Sequence, residues 1–300
     1  MNDAGAKPPL VPLHVSVHRA ECDERAFILA AVGIESFVDF DDGMYRLSVD
    51  DAQRRVAVHH LQAWDAERRA LHARPVVEYR PRLHGGAWLG CLGYIITLLG
   101  VAVTISMSPA PATAFARGTL DGAAVQSGQW WRAWTALTLH WDAAHLVANL
   151  GAGVWFGYLA GRQIGTGTAW LLIVTGAAMA NLFDAWLGPA SYVSAGASTM
   201  VFTALGMLSA HSWRSRLHLP QRRALRWAPL VGGVVLLGWF GTAGEGTDIV
   251  AHALGFGAGA LLGVVVSLTA AAAIVARVPQ WLGGLVAAGE LAAAWWWASR

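Results

Sequence analysis

Seven stretches of this 300-residue chain approach the ~20 apolar residues that cross a lipid bilayer, and no other feature narrows the fold as far. They read as residues 88–107, 145–161, 168–187, 196–212, 228–243, 249–276 and 281–298. In hydrocarbon every backbone N–H and C=O needs a partner inside the segment, so such stretches are helices. Hydrophobic residues make up 55% of the chain and charged residues 13%, with a mean hydropathy of +0.44. The expectation is an all-α polytopic membrane protein of seven crossings, preceded by a small α+β soluble domain.

That soluble part covers residues 1–69. Val15 to Arg19 suits a short strand, Cys22 to Val32 has helical periodicity stopping at Gly33, and Ser36 to Phe40 alternates. Asp41, Asp42 and Gly43 form a turn, Met44 to Val49 alternates again, and Asp50 caps a helix running through Leu61 and Trp64. The order β-α-β-β-α describes a sandwich near the lower size limit for an independent core. It resembles the small ferredoxin-like, signal-transducing-type domain of many bacterial membrane proteins, which implies a cytoplasmic regulator as partner. A linker, 70–87, carries Arg74, Arg80, Arg82 and two prolines.

Between the first two spans, Ser108 to Asp142 is too polar and too rich in Pro and Gly to cross. It ends in Trp130, Trp131, Arg132 and Trp134, amphipathic side chains suited to a membrane interface. Arginine sets the orientation. The connection after the fourth span holds Arg214, Arg216, Arg222, Arg223 and Arg226 and is therefore cytoplasmic. Counting back puts the N-terminal domain and Arg162 inside, and counting forward puts Arg277 inside. Asp142, Asp184, Glu245 and Asp248 fall on the outer side. No basic-then-apolar leader opens the sequence, so the first span is expected to direct insertion.

Several functions lose support at this stage. No basic patch interleaved with aromatics speaks for nucleic acid. Cys22 and Cys91 suggest neither a disulfide framework nor a metal site. No cofactor is expected. What the topology offers instead is a coincidence of depth. His145, Asn149, Ser198 and His252 all sit in the first turns of spans descending from the outer face. Polar groups at such depth face the bundle interior or a water-filled cavity. Ser198 alone carries little weight, because serines in membrane helices commonly bond their own backbone. With an imidazole to take its proton, a serine hydroxyl becomes a nucleophile, and His252 is the candidate. Gly255, Gly259 and Gly263 recur every four residues beyond it, a ridge that lets another helix approach closely, for packing if for nothing else.

Three motifs in order then resemble the rhomboid family of intramembrane serine proteases. They are Trp131-Arg132 with His140, His145 and Asn149 spaced as His-x4-His-x3-Asn, then Gly196-Ala197-Ser198, then Ala251-His252 followed by Gly255 and Gly259. The resemblance covers residues 88–276 and implies a six-helix bundle, with 277–300 as an appended seventh helix. It implies Ser198 as nucleophile and His252 as general base and acid, with no carboxylate third member. His145, Asn149 and the Ser198 N–H would form the oxyanion hole. Phe202 would pack on the imidazole, and His140 and Arg132 would order the interfacial loop. Implied partners are the bilayer and transmembrane protein substrates. The implied location is a bacterial inner membrane, N-terminus cytoplasmic and active site near the outer face. The family commonly has Gly after the serine; here Thr199 stands, whose β-branch could crowd the oxyanion pocket and is the one feature favouring a silent client-binding protein. Gly161 stands near where many relatives have an acidic residue. A small-solute transporter is disfavoured by the one-sided polar cluster and the lack of an inverted repeat. Glu290 and Trp295 to Trp297 mark the appended helix, Glu290 facing either a packed interior or water.

Overall fold

The computed structural model describes residues 9–73, 83–217, 219, 222–242, 248–268 and 277–300. The chain divides into two compact units, residues 1–76 and 77–300. The first contains β1 (Leu10–Ser16), α1 (Arg19–Ala31), β2 (Ser36–Asp41), β3 (Met44–Asp50) and α2 (Arg54–Ala73). Its sheet has the order β1-β3-β2, antiparallel throughout. Cys22, Leu29, Leu47, Val49 and Ala57 are fully buried between sheet and helices. Asp50 accepts from the Ala52 N–H at 2.9 Å, capping the turn that leads into α2 as expected. The first strand differs from expectation. It lies at 10–16, because the Ser16 hydroxyl bonds Glu21 at 2.9 Å and accepts from the His18 N–H, turning the chain so that Arg19 opens α1. Pro12 falls within β1 beside a register shift between Pro12 and His14, where an edge strand tolerates the missing donor.

The second unit is helical. After α3 (Ala87–Ser106) come α4 (Pro111–Gly118), β4 (Leu120–Asp121), α5 (Gly122–Gln126) and α6 (Arg132–Thr135), all short. Then follow α7 (Ala143–Ile164), α8 (Thr166–Leu187), β5 (Val193–Ser194), α9 (Ser198–Arg216), α10 (Arg223–Gly241), α11 (Ile249–Val266) and α12 (Gln280–Ala298). Among the described residues, seven long helices of this unit have 18 to 22 residues, hence about 27–33 Å of rise. Four of them, α3, α8, α10 and α11, are long and apolar enough on composition to cross a membrane. The chain is thus a helical membrane protein with a small α+β unit ahead of the bundle. Two limits moved. The helix α10 starts at Arg223, before the apolar run, and carries Pro229 inside it. The stretch read as 249–276 is helical to Val266, and its residues 269–276, like Arg74, Arg80, Arg82 and Glu245, lie outside the described residues.

α9 is the centre of the bundle. Every residue from Thr199 to Ala210 is buried. A helix wrapped by protein need not be lipid-compatible, so it can hold Thr203 and Ser209, whose hydroxyls each donate to a carbonyl four residues back at 2.7 Å. Against it lies α11, at backbone contact. A Cβ on Gly255 would stand 2.8 Å from the Thr199 carbonyl oxygen, and one on Gly259 or Gly263 would land on the carbonyls of Thr203 or Met207. In return, a Cβ on Gly206 would land on the Phe256 carbonyl. The glycine ridge expected from the sequence is therefore used, against α9. A comparable seam joins α8 and α12, where a Cβ on Gly167 would land on the Gln280 carbonyl and one on Gly283 would come 2.7 Å from the Gly167 carbonyl carbon.

Gly259→Leu should separate α9 from α11 and destabilise the protein by about 1–3 kcal/mol or more, the cost of overpacking. Gly257→Ala, on the opposite, exposed face of α11 and with nothing within 4 Å of its added Cβ, should be neutral. Thermal unfolding in detergent separates the two.

Candidate active site

The first turn of α7 is set by Asp142, whose Oδ1 accepts from the His145 N–H at 2.7 Å. That cap brings His145 and, one turn on, Asn149 onto one face. The Asn149 amide donates to the His145 carbonyl at 3.0 Å, and the Tyr94 hydroxyl donates to the Asn149 carbonyl at 2.9 Å. Ser198 is the first residue of α9, with its backbone N–H among the unsatisfied donors of a helix start. Gly196, two residues before it, leaves no room for a side chain unless His145 moves. A Cβ there would come 2.9 Å from His145 Cε1, 3.0 Å from its Nε2 and 3.4 Å from Ser198 Oγ.

His252 occupies the first turn of α11 and is 7% exposed. Its Nδ1 lies 2.9 Å from the carbonyl oxygen of Gly241, the last residue of α10. A carbonyl only accepts, so Nδ1 carries the hydrogen and Nε2 is left as the acceptor. Phe202, one turn after Ser198, packs its ring on the imidazole with centroids 4.4 Å apart. His145, Asn149, Ser198, Phe202 and His252 line one cavity of about 1150 Å³. The coincidence of depth read from the sequence is therefore a coincidence in space. Apolar side chains of α7 and α10, among them Trp155, Leu236 and Phe240, complete its walls.

The supporting residues divide by task. His140 Nε2 accepts from the Ala197 N–H at 3.3 Å, and burial, with His145 nearby, pushes its pKa down to about 4. It is thus a neutral acceptor holding the residue before Ser198. Arg132 lies away from the cavity and binds the carbonyls of Ala116 and Thr119, both at 2.8 Å, and Gln129 at 2.7 Å. Gly255 and Gly259 serve the α9–α11 contact. Thr199 is not among the residues lining the cavity: its methyl would stand 3.1 Å from a Cβ on Gly255, so it packs between the helices.

Residues 127–269 match the model of the Rhomboid domain. The chain carries a rhomboid domain. No curated protein matches the sequence. The rhomboid domain's fold is that of intramembrane serine proteases, and the three motifs lie within or at the edge of the matched span.

Two features of the site went unread in the sequence. Tyr192 sits with its hydroxyl between the carboxylates of Asp184, 2.6 Å away, and Asp248. Burial first, then these carboxylates, raises the phenol above its ordinary range. Asp248 also caps α11, accepting from the Ala251 N–H at 3.1 Å, so one residue ties the helix bearing His252 to the loop leading to Ser198. An aspartate four residues before a helical histidine is a legible cap signal; the tyrosine partner is not. The second is the Gly241 carbonyl, a backbone group with no sequence mark.

Asp248→Ala should cost about 1 kcal/mol through the lost cap, whereas Asp248→Asn should cost less. A second expectation follows from His140. Its folded pKa, about 4, lies below the ordinary value of 6.5, so the unfolded chain binds its proton first. Stability from this group is complete above pH 6.5 and is lost as pH falls toward 4. Unfolding midpoints in detergent between pH 7.5 and 4.5 should show this slope, and His140→Gln should flatten it.

Proposed function

We propose that the protein is an intramembrane serine endopeptidase that hydrolyses peptide bonds in or near transmembrane segments of other membrane proteins. The observation that carries this reading is the convergence of Ser198, His252, His145 and Asn149 on one cavity. In this reading Ser198 Oγ attacks the scissile carbonyl while His252 Nε2 takes its proton. The Gly241 carbonyl, holding Nδ1–H, does for the imidazole what a carboxylate does in a triad: it fixes ring and tautomer. The tetrahedral oxyanion is received by the Ser198 N–H at the helix start, by His145 and by the Asn149 amide. His252 returns the proton to the leaving amine, and water, activated by the same Nε2, releases the acyl group. The substrate segment must locally leave its helix, since helical hydrogen bonds shelter the bond to be cut. The active site near the outer face, the cytoplasmic N-terminus and a bacterial inner membrane belong to the same proposal and rest on the arginine pattern and the family resemblance. So does a regulatory role for the N-terminal unit.

Purified protein should cleave a fluorogenic transmembrane peptide and react at Ser198 with a fluorophosphonate. Ser198→Ala and His252→Ala should be silent. Asn149→Ala should lose about 10²-fold in kcat with little change in KM, the usual cost of one oxyanion donor. Cleavage by Ser198→Ala at the wild-type rate sinks the mechanism.

A further inference from the structure

The loop that delivers Ser198 owes its position to the segment between α3 and α7. The Gly122 N–H donates to the Tyr192 carbonyl at 2.8 Å and the Ala123 N–H to the Ala190 carbonyl at 3.1 Å. The two-residue strands β4 and β5 pair Leu120 with Ser194 and Asp121 with Val193. The Gly196 N–H donates to the Ala136 carbonyl at 3.0 Å, and Ala197 donates to His140. Ala195, Gly196 and Ala197 are all buried, so these bonds have no water to replace them.

That segment is itself gripped from its far side by α12. The Trp134 indole N–H donates to Glu290 Oε2 at 3.0 Å, and the Thr175 hydroxyl of α8 donates to Glu290 Oε1 at 2.8 Å. The Trp295 indole N–H donates to Thr138 Oγ1 at 3.0 Å. Trp131 and Trp297 stack with centroids 6.1 Å apart, and a Cβ on Gly118 would stand 2.7 Å from the Trp295 ring. Trp134, Thr138 and their neighbours are the residues that, at Ala136 and His140, hold Gly196 and Ala197. An ionisable side chain on a helix among apolar neighbours is costly unless it has such work.

We propose that Glu290 and Trp295 of α12 are positioning residues of the active site. They fix residues 131–140, and through them the Gly196–Ala197 backbone and the Ser198 N–H. The effect on cleavage rests on the protease reading above; the effect on the backbone does not. Misplacement of reacting groups by about 1 Å costs on the order of 10²-fold in rate.

The test uses full-length protein in detergent with Glu290→Leu, Glu290→Gln and Trp295→Phe, followed by amide hydrogen exchange and by cleavage kinetics. Glu290→Leu should speed exchange in residues 131–140 and 190–197 while leaving α9 beyond Phe202 unchanged, and should lower kcat by about 10- to 100-fold at constant KM. Glu290→Gln should restore both, since its amide oxygen accepts from Trp134 and its NH2 donates to the Thr175 hydroxyl. Trp295→Phe keeps an aromatic ring but loses the bond to Thr138 and part of the indole's packing on Gly118, and should shift both readouts the same way. Unchanged exchange at 190–197 in both Glu290→Leu and Trp295→Phe overturns the proposal, as does a Gln variant as impaired as Leu. Should Glu290→Leu not fold, Trp295→Phe decides alone. Should wild type cut nothing, the protease reading fails while faster exchange in the variants still upholds the positioning role.

Discussion

The closeness of α9 and α11 is the constraint on which the rest depends. In the proposed reaction Ser198 and His252 act together, and each is carried by one of these helices. Gly255, Gly259 and Gly263 on one side and Gly206 on the other let the two backbones touch, each glycine facing a carbonyl where a methyl would collide. Without a hydrophobic driving force between helices in lipid, association rests on such packing. The contact also explains why α9 tolerates polar residues along its length: being enclosed, it answers to protein neighbours and not to lipid.

Around this seam the molecule solves a problem of stranded polar groups. Three groups at the cavity have specific neighbours. The imidazole of His252 rests on a backbone carbonyl, the Asn149 side chain on its own helix, and the loop before Ser198 on Ala136 and His140. A backbone acceptor cannot change protonation, so the tautomer of His252 is fixed more simply than a carboxylate would fix it. The knot of Tyr192, Asp184 and Asp248 does the same for geometry at the mouth of the cavity.

Much of this was legible in the sequence, for reasons that are local. Apolar runs announce long helices, period-2 and period-3.6 patterns gave β-α-β-β-α, and spacing put His145 and Asn149 on one face and the glycines on another. Ser198, His252 and Phe202, which the motifs single out, line one cavity. What stayed illegible depends on partners far along the chain. Nothing near Glu290 says that Trp134 and Thr175 will meet its two oxygens, so the choice between packed interior and water stayed open until the fold closed it. The strand expected at Val15 to Arg19 lies instead at Leu10–Ser16, with Pro12 at an edge position beside a register shift. Thr199 invited concern by its neighbour in sequence, while its real neighbour is Gly255, 56 positions on.

The seam between α8 and α12 carries a consequence for how the chain is made. Thr168 and Gln280, whose backbone N–H and side-chain oxygen meet at 3.1 Å, are 112 residues apart. Chains emerge N-terminal end first, and contacts wait for the later partner. While α9, α10 and α11 are being laid down, the groove at Gly167 still lacks the helix that fills it. The joint between α8 and α12 therefore cannot close until α12 has been made, more than a hundred residues after the groove that receives it.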